Sequence, residues 1–88
     1  MKLIKFKQNV CRPCTELDLF LEHELGVEPD TVYTLDSGED EDLIKAGEYG
    51  IMNTPVLILL DDNGAVIDKV IGVDRKAVTE IVKKRGLI

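Results

Sequence analysis

Cys11 and Cys14 stand two residues apart, with Arg12 and Pro13 between them, and they are the only cysteines in the chain. A bridge between them would close a very short loop, which removes little entropy from the unfolded chain. The pair is therefore a poor staple, and its spacing points to chemistry: thiol–disulfide exchange or metal binding. Exchange asks for one reachable, activated thiol with a second, sheltered thiol close behind it. Zinc asks for two further ligands. His23 is the sole histidine and no second cysteine pair exists, so carboxylates would have to complete such a site. His23 itself reads as an exposed helix residue.

The elements on either side decide which thiol takes which role. Lys2 to Lys7 is short, apolar and charged by turns, and reads as a strand. Gln8, Asn9 and Val10 lead into the motif, and a helix fits Pro13 to Leu25. Pro13 suits a first turn, where a missing N–H costs nothing. Cys14, Leu17, Phe20, Leu21 and Leu25 recur at three- and four-residue spacing and form one buried stripe, which Gly26 ends. Cys11 thus sits exposed at a helix N-terminus, with Arg12 beside it, and both favour the thiolate. Glu16 and Asp18 oppose this from a turn further on, where they are expected to be solvated. Cys11 is the expected nucleophile. Cys14, on the buried stripe, is expected to resolve the mixed disulfide that Cys11 forms.

The rest of the chain reads as a scaffold for that motif. Thr31 to Leu35 is rich in β-branched and aromatic residues and forms a second strand. Ser37 to Asp40 opens a short helix that runs to about Glu48, its acids complementing the helix dipole. Val56 to Leu60 is a continuous apolar run suited to a central strand covered on both faces. Asp61-Asp62-Asn63-Gly64 makes a hairpin turn, because Asn-Gly tolerates positive φ, and Ala65 to Ile71 returns as the partner strand. Asp74 caps a last helix running to about Lys84, with Val78, Ile81 and Val82 inward. The order β-α-β-α-β-β-α implies an α/β fold. Its core is a mixed four-stranded sheet with helices packed on both faces. Residues 1–88 are expected to form a single domain.

Bulk properties narrow the function further. The net charge is −6, and no Lys or Arg occurs between Arg12 and Lys45, a stretch carrying eleven of the seventeen acids. Such a surface repels phosphate backbones, so no nucleic-acid partner is expected. It serves either as a solvated face or as a steering field for a basic partner. Lys5 and Lys7 interrupt the apolar start before it can form a signal peptide, and no apolar stretch is long enough to span a membrane. The expected address is cytoplasmic, where a close cysteine pair is kept reduced and used catalytically. A monomer with no bound cofactor and no metal is expected, its redox-active group being the Cys11–Cys14 disulfide.

Three segments together resemble the thioredoxin/glutaredoxin superfamily, and the resemblance covers nearly the whole chain. They are Cys11-Arg12-Pro13-Cys14, Tyr49-Gly50-Ile51-Met52-Asn53-Thr54-Pro55-Val56, and Val70-Ile71-Gly72, in family order and at family spacing. The resemblance implies a minimal thioredoxin fold with a cis Thr54–Pro55 bond packed against the redox pair. A cis X–Pro bond makes a sharp turn and would leave the Thr54 backbone unpaired beside Cys11. There it could hold an extended substrate segment by strand-like hydrogen bonds. Gly72 would let that segment approach closely. Departures from the family are as informative. Val10 stands where thioredoxins usually carry tryptophan, and Lys5 stands at about the position of their buried acid. The layout is glutaredoxin-sized, yet proline precedes the second cysteine as in thioredoxins, and the double-acid turn that holds glutathione in glutaredoxins is reduced to Asp74.

The expected activity is a thiol–disulfide oxidoreductase acting on disulfide-bearing proteins and recharged by a thioredoxin-reductase-type donor. A glutathione-dependent glutaredoxin is the alternative. Arg12 and Lys7 are the only cations near enough to Cys11 to hold glutathione's carboxylates. A binding module that ignores its cysteines is the third reading. It has no use for Cys11, Pro13, Cys14 and Pro55 together.

Overall fold

Strand β3, Val56–Leu60, is buried at every position, as a five-residue apolar run with no polar face must be. In the computed structural model, which describes residues 1–88, it lies between β1 (Lys2–Lys7) and β4 (Val66–Ile71). β2 (Thr31–Thr34) adds to the far side of β1, giving the order β2-β1-β3-β4. β1 pairs parallel with β2 and antiparallel with β3, and β3 pairs antiparallel with β4. The mixed four-stranded sheet is the expected architecture.

Side-chain alternation along β1 separates two cores. Ile4 and Phe6 face helix α2 (Asp40–Glu48), where Ala46, Val56, Ile58 and Leu60 close a six-residue cluster. Leu3 faces the opposite way, toward helices α1 (Arg12–Leu19) and α3 (Arg75–Arg85). There Leu17, Leu21, Leu57, Leu59 and the α3 residues Val78, Ile81 and Val82 are almost wholly buried. Helices therefore cover both faces. None of them is long and apolar enough to cross a membrane.

Local chemistry departs from expectation at two places. The helix after the cysteines continues to Leu25, but Phe20–Leu25 is wound as π-helix, and the Gly26 N–H closes onto the Leu21 carbonyl. Gly26 takes φ 66°, a conformation that costs glycine nothing. In the hairpin turn, Asn63 does not adopt positive φ; Gly64 alone does, at 85°. The reason is Asp61, whose carboxylate accepts the N–H groups of Asn63 (2.8 Å) and Ala65 (2.9 Å) and closes the turn from the side chain. Val66 then faces Leu60 while Asp68 faces Leu59, leaving Ile67 as the extra residue of a bulge.

Asp30 ties three segments together. Its carboxylate accepts the Leu3 N–H at 2.7 Å and two N–H groups of Arg85 at 2.7 and 2.9 Å. The Arg85 hydrogen bond holds this carboxyl below the usual carboxylate range; burial opposes it and the Leu3 N–H adds to it. A depressed carboxylate contributes stability above its unfolded pKa, and that contribution disappears as pH falls through the folded value. Asp30→Asn is therefore expected to lower the urea midpoint at neutral pH. It should also flatten the loss of stability as pH falls below the ordinary aspartate value of about 4. Identical acid-induced losses in the two proteins would refute the assignment.

Candidate active site

Cys11 is the N-cap of α1. Its backbone is extended, at φ −154° and ψ 105°, and its Sγ accepts the N–H of Cys14 at 3.2 Å. Arg12 opens the helix and Pro13 lies in its first turn, where no N–H is required. Upstream, the Asn9 N–H donates to both carboxylate oxygens of Asp36, at 2.9 and 3.1 Å, which anchors the loop between β1 and the motif. The two cysteines are joined in a disulfide. Cys14 is 3% exposed, and Cys11 is half-buried. The helix N-terminus thus presents the Cys14 N–H to one sulfur while the apolar stripe covers the other.

The second wall comes from the segment before β3. The Thr54–Pro55 bond is cis. Pro55 is buried, and its carbonyl accepts the Gly72 N–H at 2.9 Å, so the β4 end is tied to this turn. Gly72 adopts φ 81°, where an L side chain would be strained, and the space its missing Cβ would enter is open. No backbone group pairs with Thr54. Its carbonyl lies 3.9 Å from Cys11 Sγ and its hydroxyl 3.5 Å away. Cys11, Thr54, Pro55 and Gly72 are therefore linked by the contacts just described, with Arg12 and Pro13 exposed beside Cys11 and Cys14 buried behind it.

Three contacts escaped the sequence. Asp18 is not solvated: it is half-buried and pairs with Lys5, which is 6% exposed, and with Lys7 at 3.7 Å. A buried ammonium must be paired to be tolerated, and α1 supplies the carboxylate one turn beyond Cys14. Lys7, at 3.7 Å, shares this carboxylate with Lys5, which draws its ammonium toward α1. Arg12 makes no ion pair and is exposed. The third contact is from Gln8, whose side-chain carbonyl accepts the Thr54 hydroxyl at 2.8 Å. No pattern in the sequence singles out a lone glutamine in a loop. No group of side chains suited to holding a metal ion is present.

No protein-family model matches the chain. Among curated proteins, it is 31% identical over 84 residues to the SPbeta prophage-derived thioredoxin-like protein YosR of Bacillus subtilis, covering 96% of this chain and 98% of that one. Among solved structures, it resembles mitochondrial thioredoxin 3 of Saccharomyces cerevisiae, with TM-score 0.69 and 26% identity over 93% of this chain and 76% of that one. It also resembles reduced Schistosoma mansoni thioredoxin, with TM-score 0.67 and 25% identity over 94% of this chain and 78% of that one.

Proposed function

The chain belongs to the thioredoxin-like family of thiol–disulfide oxidoreductases, and on that premise we propose that it reduces disulfides in other proteins with Cys11 as nucleophile and Cys14 as resolving thiol. The observation that carries this reading is the pairing of a capped helix N-terminus at Cys11 Sγ with the unpaired backbone of Thr54 beside it. In the reduced protein the Cys14 N–H and the exposed Arg12 favour the Cys11 thiolate. That thiolate attacks one sulfur of a substrate disulfide, and the other sulfur leaves as a thiolate that takes a proton. Cys14 then loses its proton and attacks Cys11 Sγ, releasing the second substrate thiol and closing the Cys11–Cys14 bond.

Substrate binding has both polar and apolar support. An extended segment can pair with the free N–H and C=O of Thr54, and Gly72 leaves room for its backbone. Val10, Met52 and Ile71 are 95%, 90% and 61% exposed on the segments that carry Cys11, Thr54 and Gly72. Apolar residues so placed suit an unfolded or loop segment of protein better than a small tripeptide. We assign the whole of residues 1–88 to this one activity, acting as a monomer in a reducing compartment, the cytosol.

The electron donor separates the leading reading from its rival. Holding glutathione needs cations near Cys11, and of the two available, Lys7 lies 3.7 Å from Asp18 and only Arg12 is free of any ion pair. Insulin reduction with NADPH and a thioredoxin-type reductase is expected to exceed reduction with glutathione and its reductase. The expected ratio is about tenfold or more, equivalent to ~1.4 kcal/mol in barrier height. Efficient glutathione-driven turnover of a small mixed disulfide that survives Cys14→Ser would establish the glutaredoxin reading instead.

A further inference from the structure

A short polar chain runs from Gln8 through Thr54 to the sulfur of Cys11. Thr54 Oγ1 lies 2.8 Å from Gln8 Oε1 and 3.5 Å from Cys11 Sγ. A threonine hydroxyl has one hydrogen to give. In the oxidised protein Gln8 receives it, since a disulfide sulfur is neutral and a weak acceptor. A Cys11 thiolate is a charged acceptor, and hydrogen bonds to charged groups are roughly twice as strong as neutral ones. The Gln8 side chain is exposed and free to turn. Its amide carries a carbonyl and an NH₂ at the same reach, so rotation about the last torsion replaces an acceptor with a donor.

We propose that Gln8 is a positioning residue that releases the Thr54 hydroxyl to Cys11 when the pair is reduced. The amide turns, its NH₂ donates to Thr54 Oγ1, and the Thr54 O–H donates to the Cys11 thiolate. The proposal rests on Cys11 being the attacking thiol. The reduction it accompanies balances as follows. A dithiol donor loses two electrons and closes its own disulfide, and the Cys11–Cys14 bond breaks. Cys14 becomes a thiol carrying one of the donor's protons; Cys11 becomes a thiolate and the other proton passes to water. Gln8 and Thr54 transfer no proton. They change partners, and the new arrangement favours the reduced form, which makes the disulfide more readily reduced.

The test uses the full chain and two readouts that a purely structural role would not move. One is the pH dependence of Cys11 alkylation by iodoacetamide, with the modified residue identified by mass spectrometry. The other is the equilibrium constant with dithiothreitol. Gln8→Glu offers only acceptors at neutral pH and holds the hydroxyl away from sulfur, whereas Gln8→Met offers nothing and leaves the hydroxyl free. Gln8→Glu is expected to lower the thiolate fraction below the alkylation midpoint by about threefold to tenfold, the scale of one net hydrogen bond. The dithiothreitol equilibrium should move in the same proportion, and Gln8→Met, which loses the orienting NH₂ but adds no competing acceptor, should show a smaller shift in the same direction; a Gln8→Met indistinguishable from the parent overturns the proposal. In a Thr54→Val background the Gln8→Glu effect should shrink to the small part due to its added charge. An undiminished effect in that background, or no effect at all with alkylation still at Cys11, overturns the proposal alone. Alkylation that strikes Cys14 first overturns the assignment of the thiols and the proposal with it.

Discussion

Cys11→Ser is expected to reduce insulin no faster than the donor alone, while Cys14→Ser should still attack and then stop. The difference follows from where each sulfur sits. Cys11 is partly accessible at the mouth of α1, with a backbone N–H on its sulfur. Cys14 is 3% exposed and cannot meet a substrate disulfide. A serine at position 11 therefore leaves no reachable nucleophile. A serine at position 14 leaves the nucleophile but removes the only thiol placed to release it. Mass spectrometry of Cys14→Ser incubated with an oxidised substrate should show a covalent adduct at Cys11, cleaved by added dithiothreitol. If Cys14 of the reduced parent protein is alkylated faster than Cys11, the roles are reversed.

The other large effect is on stability and lies under the site. Lys5 is nearly buried and its ammonium is met by Asp18. Removing one partner of such a pair leaves an uncompensated buried charge, and Asp18→Ala is expected to cost about 3 kcal/mol. In a domain of this size that is a fall in Tm of roughly 12 to 24 °C. Lys5→Met removes the charge and keeps the stem's volume, so it is expected to be near neutral or stabilising. The asymmetry between the two variants is the diagnostic result of a thermal melt. Equal losses would mean that packing of the lysine stem matters more than its charge. An unchanged Asp18→Ala would mean that the ammonium reaches water unaided.

Most of the frame is legible in the sequence because its signals are local and redundant. The run Val56 to Leu60 permits only a strand covered on both faces, Asp74 and Pro13 mark helix starts, and Gly26 marks a stop. Each element lies within about three residues of where periodicity places it. The winding of Phe20–Leu25 is not legible, since Leu17, Leu21 and Leu25 recur every four residues and that spacing does not distinguish the two helix types. The turn at Asn63-Gly64 looks like a pair of left-handed residues until Asp61 is seen to close it. The redox pair and its proline announce themselves by type and spacing. Lys5, Asp18 and Gln8 do not, because their partners lie 13 residues away in the first two cases and 46 in the third. A buried lysine in a strand of alternating character reads as surface until its carboxylate is located on another element.

The division of the interior by the sheet bears on how such a protein can diversify. α1 and α3, with the redox cysteines, pack on one side; α2 packs on the other against a separate cluster. The outer face of α2 presents Leu43 and Ile44, 55% and 60% exposed, with the whole sheet between them and α1. Substitutions that share no neighbours combine additively. Recognition features can therefore accumulate at the exposed Leu43 and Ile44 with little effect on the disulfide, whereas Ala46, packed in one cluster with Val56 beside Pro55, belongs to the support of the site. A lineage carrying this fold has two surfaces on which selection acts separately, one that sets the voltage and one free to become an address.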